Sequence, residues 1–508
     1  MIEEPSVNKM GKVYLVGAGP GDPGLITLKG VECLRRADLV LYDYLVNQAL
    51  LSYVPPKAET LCLGHHQQRG GTGQDQINAR MIAAAREGKI VVRLKGGDPD
   101  VFGRGAEETG ALAAAGIPYE TVPGVTAALA AAAYAGIPIT HAERSSAVAL
   151  VTGQERHGKK GSTLDYGALA DFPGTLVFYM GVTSASQWSE ALLRRGKPPD
   201  TPVAIVRRCS WHDQRTICCT LARVAGVIAE ERLRPPAVIF VGPVVSLAPE
   251  VSWFAARPLF GTRVLVTRPR HQSGALVEGL SALGAEVLTQ PAIEISEPAD
   301  WGPADRALEN LDAYDWLVFS SANGVWYLLS RLLERHGDLR RLGKVKLAAI
   351  GPGTAEELRS FRLCADLVPG VYRAESLAEA LVAEAAGGRF LLARASRGRE
   401  VLAEQLLAAG AAVEQIVVYR SRDVDRPDPG VAAALAAGRI DWITVTSSAI
   451  AQSLVRLFGD ELRRAKLASL SPITSEALRR AGLEPAVEAT SYTMAGLVEA
   501  ILAGNKTT

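Results

Sequence analysis

Cysteine, net charge and long apolar runs are all scarce in this chain of 508 residues, and each shortage excludes a class of protein. The six cysteines are scattered without a C-x-x-C pair, so we expect neither a zinc site nor a disulfide framework, and a reducing cytoplasm is predicted. A formal net charge of +1 argues against bulk electrostatic binding to nucleic acid. No apolar run reaches about 18 residues, so no transmembrane helix is expected.

Apolar strand-like runs alternate with helical patterns along most of the chain. This alternation predicts α/β domains with largely parallel sheets. KVYLVG, LVLYD and KIVVRLK are strand candidates, and Leu28, Val31 and Leu34 define one face of the helix after the first strand. A proline and a glycine interrupt the pattern near SWFAARPLFGTRVLVTRPR. The chain is therefore expected to divide into residues 1–257 and 258–508.

The second half contains an internal sequence repeat. DWLVFSSANGV resembles DWITVTSSAI, and KLAAIGPGTAEELRS resembles KLASLSPITSEALRR. The repeat predicts two similar α/β lobes, one covering about 261–296 plus 424–508 and the other 297–423. Each lobe has a Ser/Thr-rich turn after a strand, which is where open parallel sheets bind ligands. The segments ISEPADW and YRSRDVDRPDPG would connect the lobes and allow hinge motion.

The glycine-rich turn in VYLVGAGPGDPG resembles a dinucleotide-binding fingerprint without matching it. Gly17 and Gly19 fit the pattern G-x-G-x-x-G, but Asp22 occupies the position of the third glycine. Pro20 has no backbone N–H, and the Asp22 carboxylate would stand where a pyrophosphate binds, so the loop suits an anion poorly. Two interpretations stay open at this point: a purely structural turn, or a site for a neutral or cationic nucleoside ligand.

Four motifs of the first half occur in order: VYLVGAGPGDPGLITLKG, RLKGGDPDVFGRGAEE, VPGVTAALAAAAYAGIPITH and TLVFYMGV. Over about residues 10–255 they closely resemble the tetrapyrrole methylase family, and within it the uroporphyrinogen-III C-methyltransferases. The resemblance implies two α/β subdomains, S-adenosyl-L-methionine as methyl donor with S-adenosylhomocysteine as product, no metal, and a homodimer formed through this half. It also implies that the opening loop belongs to a cleft for a sulfonium cofactor without phosphate.

By the same resemblance, the cofactor contacts fall on backbone turns and mostly small residues. The positions are Pro20, Gly96, Gly97, Asp98, Val101, Thr126, Ala127, Met180 and Cys209. Asp43 matches the family's proton acceptor, whereas His65 stands where the family has a lysine proton donor. Imidazole also donates a proton well near neutral pH. Core packing is the alternative for Met180, and a surface loop of little consequence is the alternative for His65.

One further departure from the family pattern concerns substrate binding. Ala142 and Glu143 replace the usual Arg-Asp pair after PITH. If Ala142 has lost a contact with a substrate carboxylate, Arg144, or Arg207 together with Arg208, is expected to supply one instead. The change bears on substrate affinity more than on the type of reaction.

The second half, from residue 260 to about 503, resembles the uroporphyrinogen-III synthase family. The resemblance rests on seven motifs in order: RVLVTRP, FSSANGV, AAIGPGTAEEL, VPGVYRAESL, VVYR, TVTSS and SYTMAGLVEAI. It implies a two-lobed α/β fold with hinge linkers. It also implies the cyclisation of hydroxymethylbilane with inversion of the last pyrrole ring. Because the pyrrole nitrogen expels the hydroxyl readily, the site needs no potent acid or nucleophile.

Such a site must hold eight carboxylates, so we expect hydroxyls and cations to bind the substrate. The candidates are Arg268, Ser320, Ser321, Thr354, Arg394, Ser447, Ser448 and Thr474. Tyr419 matches the family's tyrosine in VYR and is expected to assist departure of the hydroxyl. Helix capping is the alternative for each serine and threonine, and packing near a hinge is the alternative for Tyr419.

Together the two resemblances predict a bifunctional enzyme of tetrapyrrole biosynthesis. The second half would make uroporphyrinogen III from hydroxymethylbilane, and the first half would methylate it twice to precorrin-2, an intermediate of siroheme and cobalamin pathways. Its partners would then be small tetrapyrroles, with no nucleic acid and no membrane. Three alternatives stay open: a methylase for another corrin intermediate, a second half that senses tetrapyrroles without turnover, and an NAD-dependent oxidoreductase, which Asp22 disfavours.

Overall fold

The computed structural model describes residues 10–64, 73–155, 163–249, 252–269, 272–398 and 400–506. The chain divides into two units, Met1–Gly261 and Thr262–Thr508. Each unit contains two five-stranded sheets, which pack against helices around hydrophobic cores of their own. Among the described residues, we find no helix with both the length and the apolar character that crossing a bilayer requires.

The first sheet of the N-terminal unit is entirely parallel. Its elements are β1 (Lys12–Gly17), α1 (Leu28–Arg35), β2 (Leu39–Tyr42), β3 (Glu59–Cys62), α2 (Gln74–Arg86), β4 (Ile90–Lys95), α3 (Gly105–Ala114), β5 (Tyr119–Val122) and α4 (Ala127–Ala135). The strand order is β3-β2-β4-β1-β5. All five carboxyl ends therefore lie on one edge, which is where open parallel sheets bind ligands.

The second sheet of this unit is mixed. Its elements are β6 (Val148–Thr152), α5 (Tyr166–Asp171), β7 (Thr175–Tyr179), α6 (Ala185–Arg194), β8 (Pro202–Arg207), β9 (Arg215–Thr220), α7 (Val224–Glu230) and β10 (Ala237–Val241). In the order β6-β7-β10-β8-β9, the first pairing is parallel and the other three are antiparallel. The expectation of largely parallel sheets is wrong here. Residues 208–214 join β8 to β9 and are too few for the crossover that parallel strands need.

The buried face of α1 also differs from the predicted one. Leu34 is buried as expected, but Leu28 is 85 % exposed, and the buried positions beside Leu34 are Gly30 and Cys33. A Cβ on Gly30 would lie 3.1 Å from a methyl carbon of Val16 on β1. Close approach of α1 to β1 at this glycine therefore sets the rotation of the helix and turns Leu28 to the surface.

The C-terminal unit repeats the strand–helix alternation. It begins with β11 (Arg263–Val266), α8 (Gly274–Ala282), β12 (Glu286–Thr289), β13 (Ile293–Ser296), α9 (Gly302–Glu309), β14 (Trp316–Phe319), α10 (Ala322–His336), β15 (Lys346–Ala349), α11 (Pro352–Ser360) and α12 (Ala374–Val382). It continues with β16 (Arg389–Ala395), α13 (Val401–Ala408), β17 (Ala412–Asp423), α14 (Pro429–Ala436), β18 (Trp442–Val445), α15 (Ser448–Phe458), β19 (Lys466–Ser469), α16 (Pro472–Arg480), β20 (Val487–Glu488) and α17 (Met494–Asn505).

These elements form two lobes, each with its own sheet. The sheet of the first lobe has the order β12-β11-β18-β19-β20 and is parallel throughout. The sheet of the second lobe has the order β13-β17-β16-β14-β15 and is parallel except for β13 against β17. The predicted two-lobed α/β fold is confirmed, and its central strands are buried on both faces, as parallel strands between helices must be.

The internal sequence repeat has a structural counterpart in the two lobes. Trp316 at the start of β14 and Trp442 at the start of β18 each carry a lysine ammonium over the ring, at 5.1 and 5.2 Å from the centroid. Ser321 caps α10, and Ser447 caps α15, by accepting a hydrogen bond from a backbone N–H of the first turn. The same sequence pattern therefore builds the same strand, turn and cap in both lobes.

The two predicted linkers pair with each other as antiparallel strands. Ile293 of β13 lies opposite Asp423 of β17, at the point where the chain crosses between the lobes. The Asp423 carboxylate accepts hydrogen bonds from Arg397 of the second lobe and from Ser453 of the first, and Arg456 adds an ion pair at 2.5 Å. Side chains of both lobes thus hold the linker pair in place.

Candidate active sites

Three glycine turns meet at the carboxyl edge of the first sheet. Gly19 and Gly97 exchange both backbone hydrogen bonds, with N···O distances of 3.2 and 2.8 Å. A Cβ on Gly17 would lie 2.5 Å from Gly124, and a Cβ on Gly124 would lie 2.3 Å from the carbonyl oxygen of Gly97. Close packing of backbone against backbone therefore accounts for Gly17 in the opening loop, without any need for a bound phosphate.

Asp22 has a structural role in the same loop. One carboxylate oxygen accepts a hydrogen bond from the N–H of Gly24 at 2.8 Å, and the other accepts one from the hydroxyl of Tyr134 at 2.7 Å. The indole of Trp211 donates to the carbonyl of Pro20 at 3.2 Å. The loop is thus fastened to α4 and to the turn after β8, and the Asp22 carboxylate helps to hold it there.

The nine predicted cofactor positions converge on one cleft of the N-terminal unit. Seven lie in the turns after β1, β4 and β5, and Met180 and Cys209 lie in the turns after β7 and β8. A Cβ on Gly97 would be 3.9 Å from the Cα of Thr126, and the sulfur of Cys209 lies 3.9 Å from the carbonyl oxygen of Ala127. The structure therefore brings residues far apart in sequence into one place, while their contacts with a cofactor stay predictions.

The turn at Gly96 and Gly97 could accept a Cβ at either position without a clash. A Cβ on Gly96 would meet nothing closer than the Cβ of Leu45 at 3.8 Å, and one on Gly97 nothing closer than the N of Ala127 at 3.8 Å. Packing within the protein does not explain glycine at Gly96, although a φ of 68° favours it at Gly97. A ligand lying against this backbone fits the turn, as the predicted sulfonium cofactor would.

Asp98 organises the turn and keeps acceptor capacity. Its carboxylate accepts the N–H of Asp100 at 2.9 Å and the N–H of Gly124 at 3.0 Å. An ionised carboxylate has about four acceptor sites, so about two remain for hydroxyl or amino groups of a ligand. The predicted ligand role is compatible with this structural one.

Met180 does not fill a gap in the core. Its side chain is 44 % exposed, and its backbone adopts a φ of 53°. Of the seven non-glycine residues with positive φ that the structure describes, five lie in the turns around this cleft: Phe102, Arg104, Met180, Arg208 and Ser210. Such costly conformations cluster at ligand sites. A cavity of about 300 Å³ opens beside Met180, with Phe102 and Arg104 in its wall.

Two neutral groups, Cys209 and Tyr179, contact the start of α4. Burial raises the pKa of the Cys209 thiol to about 12, so the residue packs as a small apolar group. Tyr179, which the sequence analysis missed, holds its hydroxyl 2.6 Å from Thr126 Oγ1 and accepts the N–H of Ala128 at 2.8 Å. Burial also raises the pKa of Tyr179. Its place at the end of a buried strand is the signal that could have identified it.

Asp43 lies directly after β2 against a cluster of buried charges that the sequence analysis also missed. Arg93 on β4 is fully buried, and its Nη2 lies 2.5 Å from Asp43 Oδ1. Its Nε donates to Glu108 on α3 at 3.0 Å, and Lys95 Nζ lies 2.9 Å from the other oxygen of Glu108. Charges at alternate positions of an apolar central strand are the signal in the sequence. His65, the other predicted catalytic residue, lies outside the described residues.

The three arginines expected to compensate for Ala142 have partners. Arg144 donates to the hydroxyl of Ser246 at 2.6 Å. Arg207 and Arg208 share the carboxylate of Asp213, at 3.5 and 2.6 Å. Two guanidinium groups with one carboxylate between them leave an excess of positive charge beside the cleft, which suits a substrate that carries carboxylates.

A polar chain in the C-terminal unit joins Tyr419 of the second lobe to Arg268 of the first. The buried hydroxyl of Tyr419 lies 3.0 Å from Ser321 Oγ and also hydrogen-bonds Asn323. Asn323 accepts a hydrogen bond from Gln272, which in turn accepts one from Arg268 Nη2 at 3.0 Å. Burial raises the pKa of Tyr419, so the group is a protonated phenol near neutral pH.

Arg268 is a half-buried cation whose donors are poorly satisfied. Its Nη1 faces the sulfur of Met494 at 3.4 Å, and a thioether is a weak acceptor. Its Nε is buried without a hydrogen-bond partner among the residues that the structure describes. Burial lowers the pKa of Arg268. Such a guanidinium is suited to a carboxylate that is supplied from outside the protein.

The remaining predicted substrate positions of this unit divide into caps and paired groups. Ser321 and Ser447 are helix N-caps, and Ser448 begins α15. Ser320 is exposed, whereas Thr354 and Thr474 are buried. Arg394 donates hydrogen bonds to Glu400 and Gln415 at 2.5 Å each. Thr474 Oγ1 lies 3.1 Å from the hydroxyl of Ser471. A substrate role for Arg394 would require its ion pair to open. Capping and substrate binding coexist most readily at Ser321, which touches Tyr419.

Comparison with known proteins gives a separate match for each unit. Residues 12–225 match the family model described as tetrapyrrole (corrin/porphyrin) methylases. Residues 274–499 match the family model described as uroporphyrinogen-III synthase HemD. Over 452 residues the chain is 36 % identical to the porphyrin biosynthesis protein HemD of Ruminiclostridium josui, and the alignment covers 89 % of each chain.

Further similarities concern the first unit alone. An S-adenosyl-L-methionine-dependent uroporphyrinogen III methyltransferase of Methanosarcina barkeri is 47 % identical over 237 residues, which make up 47 % of this chain and 93 % of that one. The native crystal structure of uroporphyrin III C-methyl transferase from Thermus thermophilus is 40 % identical, with a TM-score of 0.40. That match covers 47 % of this chain and 94 % of the other.

Proposed function

Because the chain belongs to the tetrapyrrole methylase family in its first half and to the uroporphyrinogen-III synthase family in its second, we propose that it performs both reactions. The C-terminal unit would cyclise hydroxymethylbilane to uroporphyrinogen III with inversion of the last ring. The N-terminal unit would then methylate that product twice to precorrin-2. Precorrin-2 serves both siroheme and cobalamin formation, so the proposal covers either end product.

The observation that supports the methylase activity is the glycine turn at Gly96 and Gly97, beside Thr126 and Ala127, where packing within the protein does not explain Gly96. S-adenosyl-L-methionine would supply the methyl group as an electrophile and leave as S-adenosylhomocysteine. The turns would bind and orient the reactants and exclude water, since the electron-rich macrocycle attacks the methyl carbon directly. The carboxylate of Asp43 would accept the proton that the methylated macrocycle loses. A proton-donor role for His65 stays a prediction.

The observation that supports the synthase activity is the half-buried, poorly satisfied guanidinium of Arg268, which a series of hydrogen bonds links to Tyr419. Arg268 would hold a substrate carboxylate. The phenol of Tyr419 would donate a hydrogen bond to the hydroxyl that the bilane expels as water. The Ser/Thr-rich turns would add hydroxyl and N–H groups that favour one folded form of the linear substrate.

The experiment that tests both activities is anaerobic incubation of the purified chain with hydroxymethylbilane, with and without methyl-labelled S-adenosyl-L-methionine. We expect type III uroporphyrinogen without the cofactor and doubly labelled precorrin-2 with it. Type I uroporphyrinogen alone would indicate spontaneous closure and would contradict the synthase activity. Type III product that takes up no label would contradict the methylase activity and leave the synthase standing.

Family membership also leads us to propose a homodimer formed through the N-terminal unit, located in the cytoplasm. All six cysteines are free thiols, as a reducing compartment favours. Sedimentation velocity over a range of micromolar concentrations would test the assembly, and a monomer throughout would contradict it. Fractionation of the host cells, with activity measured in each fraction, would test the location.

A further inference from the structure

A set of buried charges lies behind Asp43 in the N-terminal unit. Arg93 and Glu108 are fully buried, and Lys95 is 3 % exposed. With Asp43 included, the set has two positive and two negative groups, so its formal charges cancel. Burying charges is costly unless each has partners, and removing one partner leaves another charge uncompensated. The set is therefore a single electrostatic unit in which each group affects the others.

Arg93 is the bridge within this set. Its Nη2 donates to Asp43 at 2.5 Å, its Nε donates to Glu108 at 3.0 Å, and its Nη1 donates to the carbonyl of Leu94 at 3.3 Å. The backbone N–H of Asp43 also donates to Leu94, at 3.2 Å. Because an arginine stays protonated, it passes no proton from Asp43 into the interior. The buried groups can act on Asp43 only by fixing its position and by their charge.

Glu108 lies one contact beyond Arg93 from Asp43, between the two cations of the set. Both of its oxygens face cations, Arg93 on one side and Lys95 on the other, and Gln74 of α2 adds a hydrogen bond at 3.1 Å. Burial, followed by repulsion from Arg93, lowers the pKa of Lys95, which shows how closely the two cations interact. A single carboxylate thus screens two cations that would otherwise act on Asp43 together.

We propose that Glu108 is a positioning residue for methylation, which keeps Asp43 in place through Arg93 and balances the positive charge of Arg93 and Lys95. This inference rests on the proposed role of Asp43 as proton acceptor. Among the charged groups that the structure places around Asp43 are Arg93 and Lys95 of β4 and, behind them, Glu108 of α3. A nearby negative charge makes a carboxylate a stronger base, and a nearby positive charge makes it a weaker one.

The test measures the pH dependence of kcat/KM for methylation of uroporphyrinogen III by the full chain and its variants. Glu108→Gln removes the carboxylate between Arg93 and Lys95, so the net positive charge near Asp43 rises. The acid limb of the profile should therefore move to lower pH by about one unit, with a plateau about 10-fold lower. Lys95→Met removes a cation, so its acid limb should move to higher pH. Glu108→Asp restores the charge and should return the limb towards its original position.

Glu87→Gln is the matched control, because it removes a carboxylate of an exposed ion pair with Lys89 at the end of α2. Its profile should equal that of the unchanged chain. If the unchanged chain does not methylate, the proposed function fails. If it methylates and the limbs of Glu108→Gln and Lys95→Met do not move in opposite directions, the inference is overturned. If Glu108→Gln does not fold, the pH profile of Lys95→Met decides the question. A shift of its acid limb to higher pH supports the inference, and an unshifted limb overturns it.

Discussion

The predicted role of Tyr419 can be tested by removing only its hydroxyl group. Its hydroxyl is buried within 3.0 Å of Ser321, and its ring stacks on Tyr327 with centroids 5.8 Å apart. Tyr419→Phe keeps the ring and removes the donor, so we expect formation of type III uroporphyrinogen to slow by about 10- to 100-fold. Chromatography of the type III and type I isomers formed from hydroxymethylbilane gives the rate.

Tyr314→Phe provides the matched control for this experiment. The hydroxyl of Tyr314 donates to Glu414 at 2.6 Å in the same lobe and is not among the predicted site residues. Its removal should leave the ratio of isomers unchanged. Equal ratios in both variants and the unchanged chain would mean that the Tyr419 hydroxyl only packs.

Cys209 should resist alkylation although it borders a cleft. Its side chain is buried, and burial raises the pKa of the thiol to about 12, so almost no thiolate forms at pH 8. Since the thiolate is the nucleophile, iodoacetamide should modify Cys209 about 100-fold more slowly than the exposed Cys62. Peptide mapping by mass spectrometry measures both rates, and unfolding in guanidinium should make them equal. Similar rates in the folded chain would contradict the burial.

The motifs predict the turns of the first candidate site, but they give no sign of the charges behind them. The predicted positions from Pro20 to Thr126 follow strands of one parallel sheet, whose carboxyl ends share an edge, whereas Met180 and Cys209 follow strands of the second sheet. Arg93 and Glu108 are 15 residues apart, and no spacing rule places that face of α3 against β4. The serines were ambiguous for a different reason, because a cap and a substrate contact use the same hydroxyl in the same turn.

At the scale of elements, alanine substitutions at two glycines beside the first sheet, Gly110 and Gly124, should change the free energy of unfolding in opposite directions. Gly110 lies inside α3, and a Cβ there would have nothing within 4 Å. Gly110→Ala should therefore raise the free energy of unfolding by about 0.5–1 kcal/mol through better helix propensity. Gly124→Ala would place a Cβ 2.3 Å from a backbone oxygen and should cost about 2 kcal/mol or more. Urea denaturation measures both, and equal effects would contradict the packing of the turns.

Glu120 ties three elements together and gives them a dependence on pH. It bonds Lys12 of β1 at 2.8 Å and also Lys29 of α1, and the hydrogen bond with Lys12 chiefly lowers the pKa of Glu120 to about 2. The usual value is about 4.3 in an unfolded chain, so the contribution to stability is fully present above about pH 5. It is lost as the pH falls towards about 2, where the folded form takes up its proton.

Comparison with Glu120→Gln tests this dependence. The unfolding free energy of the unchanged chain should exceed that of the variant by a constant amount above about pH 5, and the difference should shrink on acidification. Because Glu120 is partly exposed, 1 M salt should shrink it as well, through screening. A difference that is independent of pH between 3 and 6 would contradict the ion pairs.

Element types were easier to predict than their pairing. Alternating apolar runs and helical patterns indicated α/β units correctly, but β8, β9 and β10 look like the other strands in sequence and pair antiparallel. The length of the connection after β8 carries that information, and hydrophobic periodicity does not. Leu28 was misplaced for a related reason, since the contact of Gly30 with β1 decides the rotation of α1 and no helical pattern contains it.

At the scale of the whole molecule, each unit should fold without the other. Each has its own sheets and its own cores, and the division falls between Gly261 and Thr262. Residues 1–261 and 262–508, produced separately, should each give a cooperative thermal transition by circular dichroism and retain the activity proposed for that half. Aggregation of either piece, or a single shared transition in the full chain that neither piece reproduces, would contradict independent folding.

The insertion of one lobe within the other has a consequence for synthesis. The N-terminal unit is continuous in sequence and can fold as it leaves the ribosome, whereas β11 must wait for its central partner, β18, through the translation of the whole second lobe. A hydrogen bond between Arg263 and Asp441 spans 178 residues. During that interval the apolar β11 has an unpaired edge, and nascent chains with such edges are prone to aggregate. The second lobe therefore sets a delay during which the unfinished first lobe is exposed to aggregation.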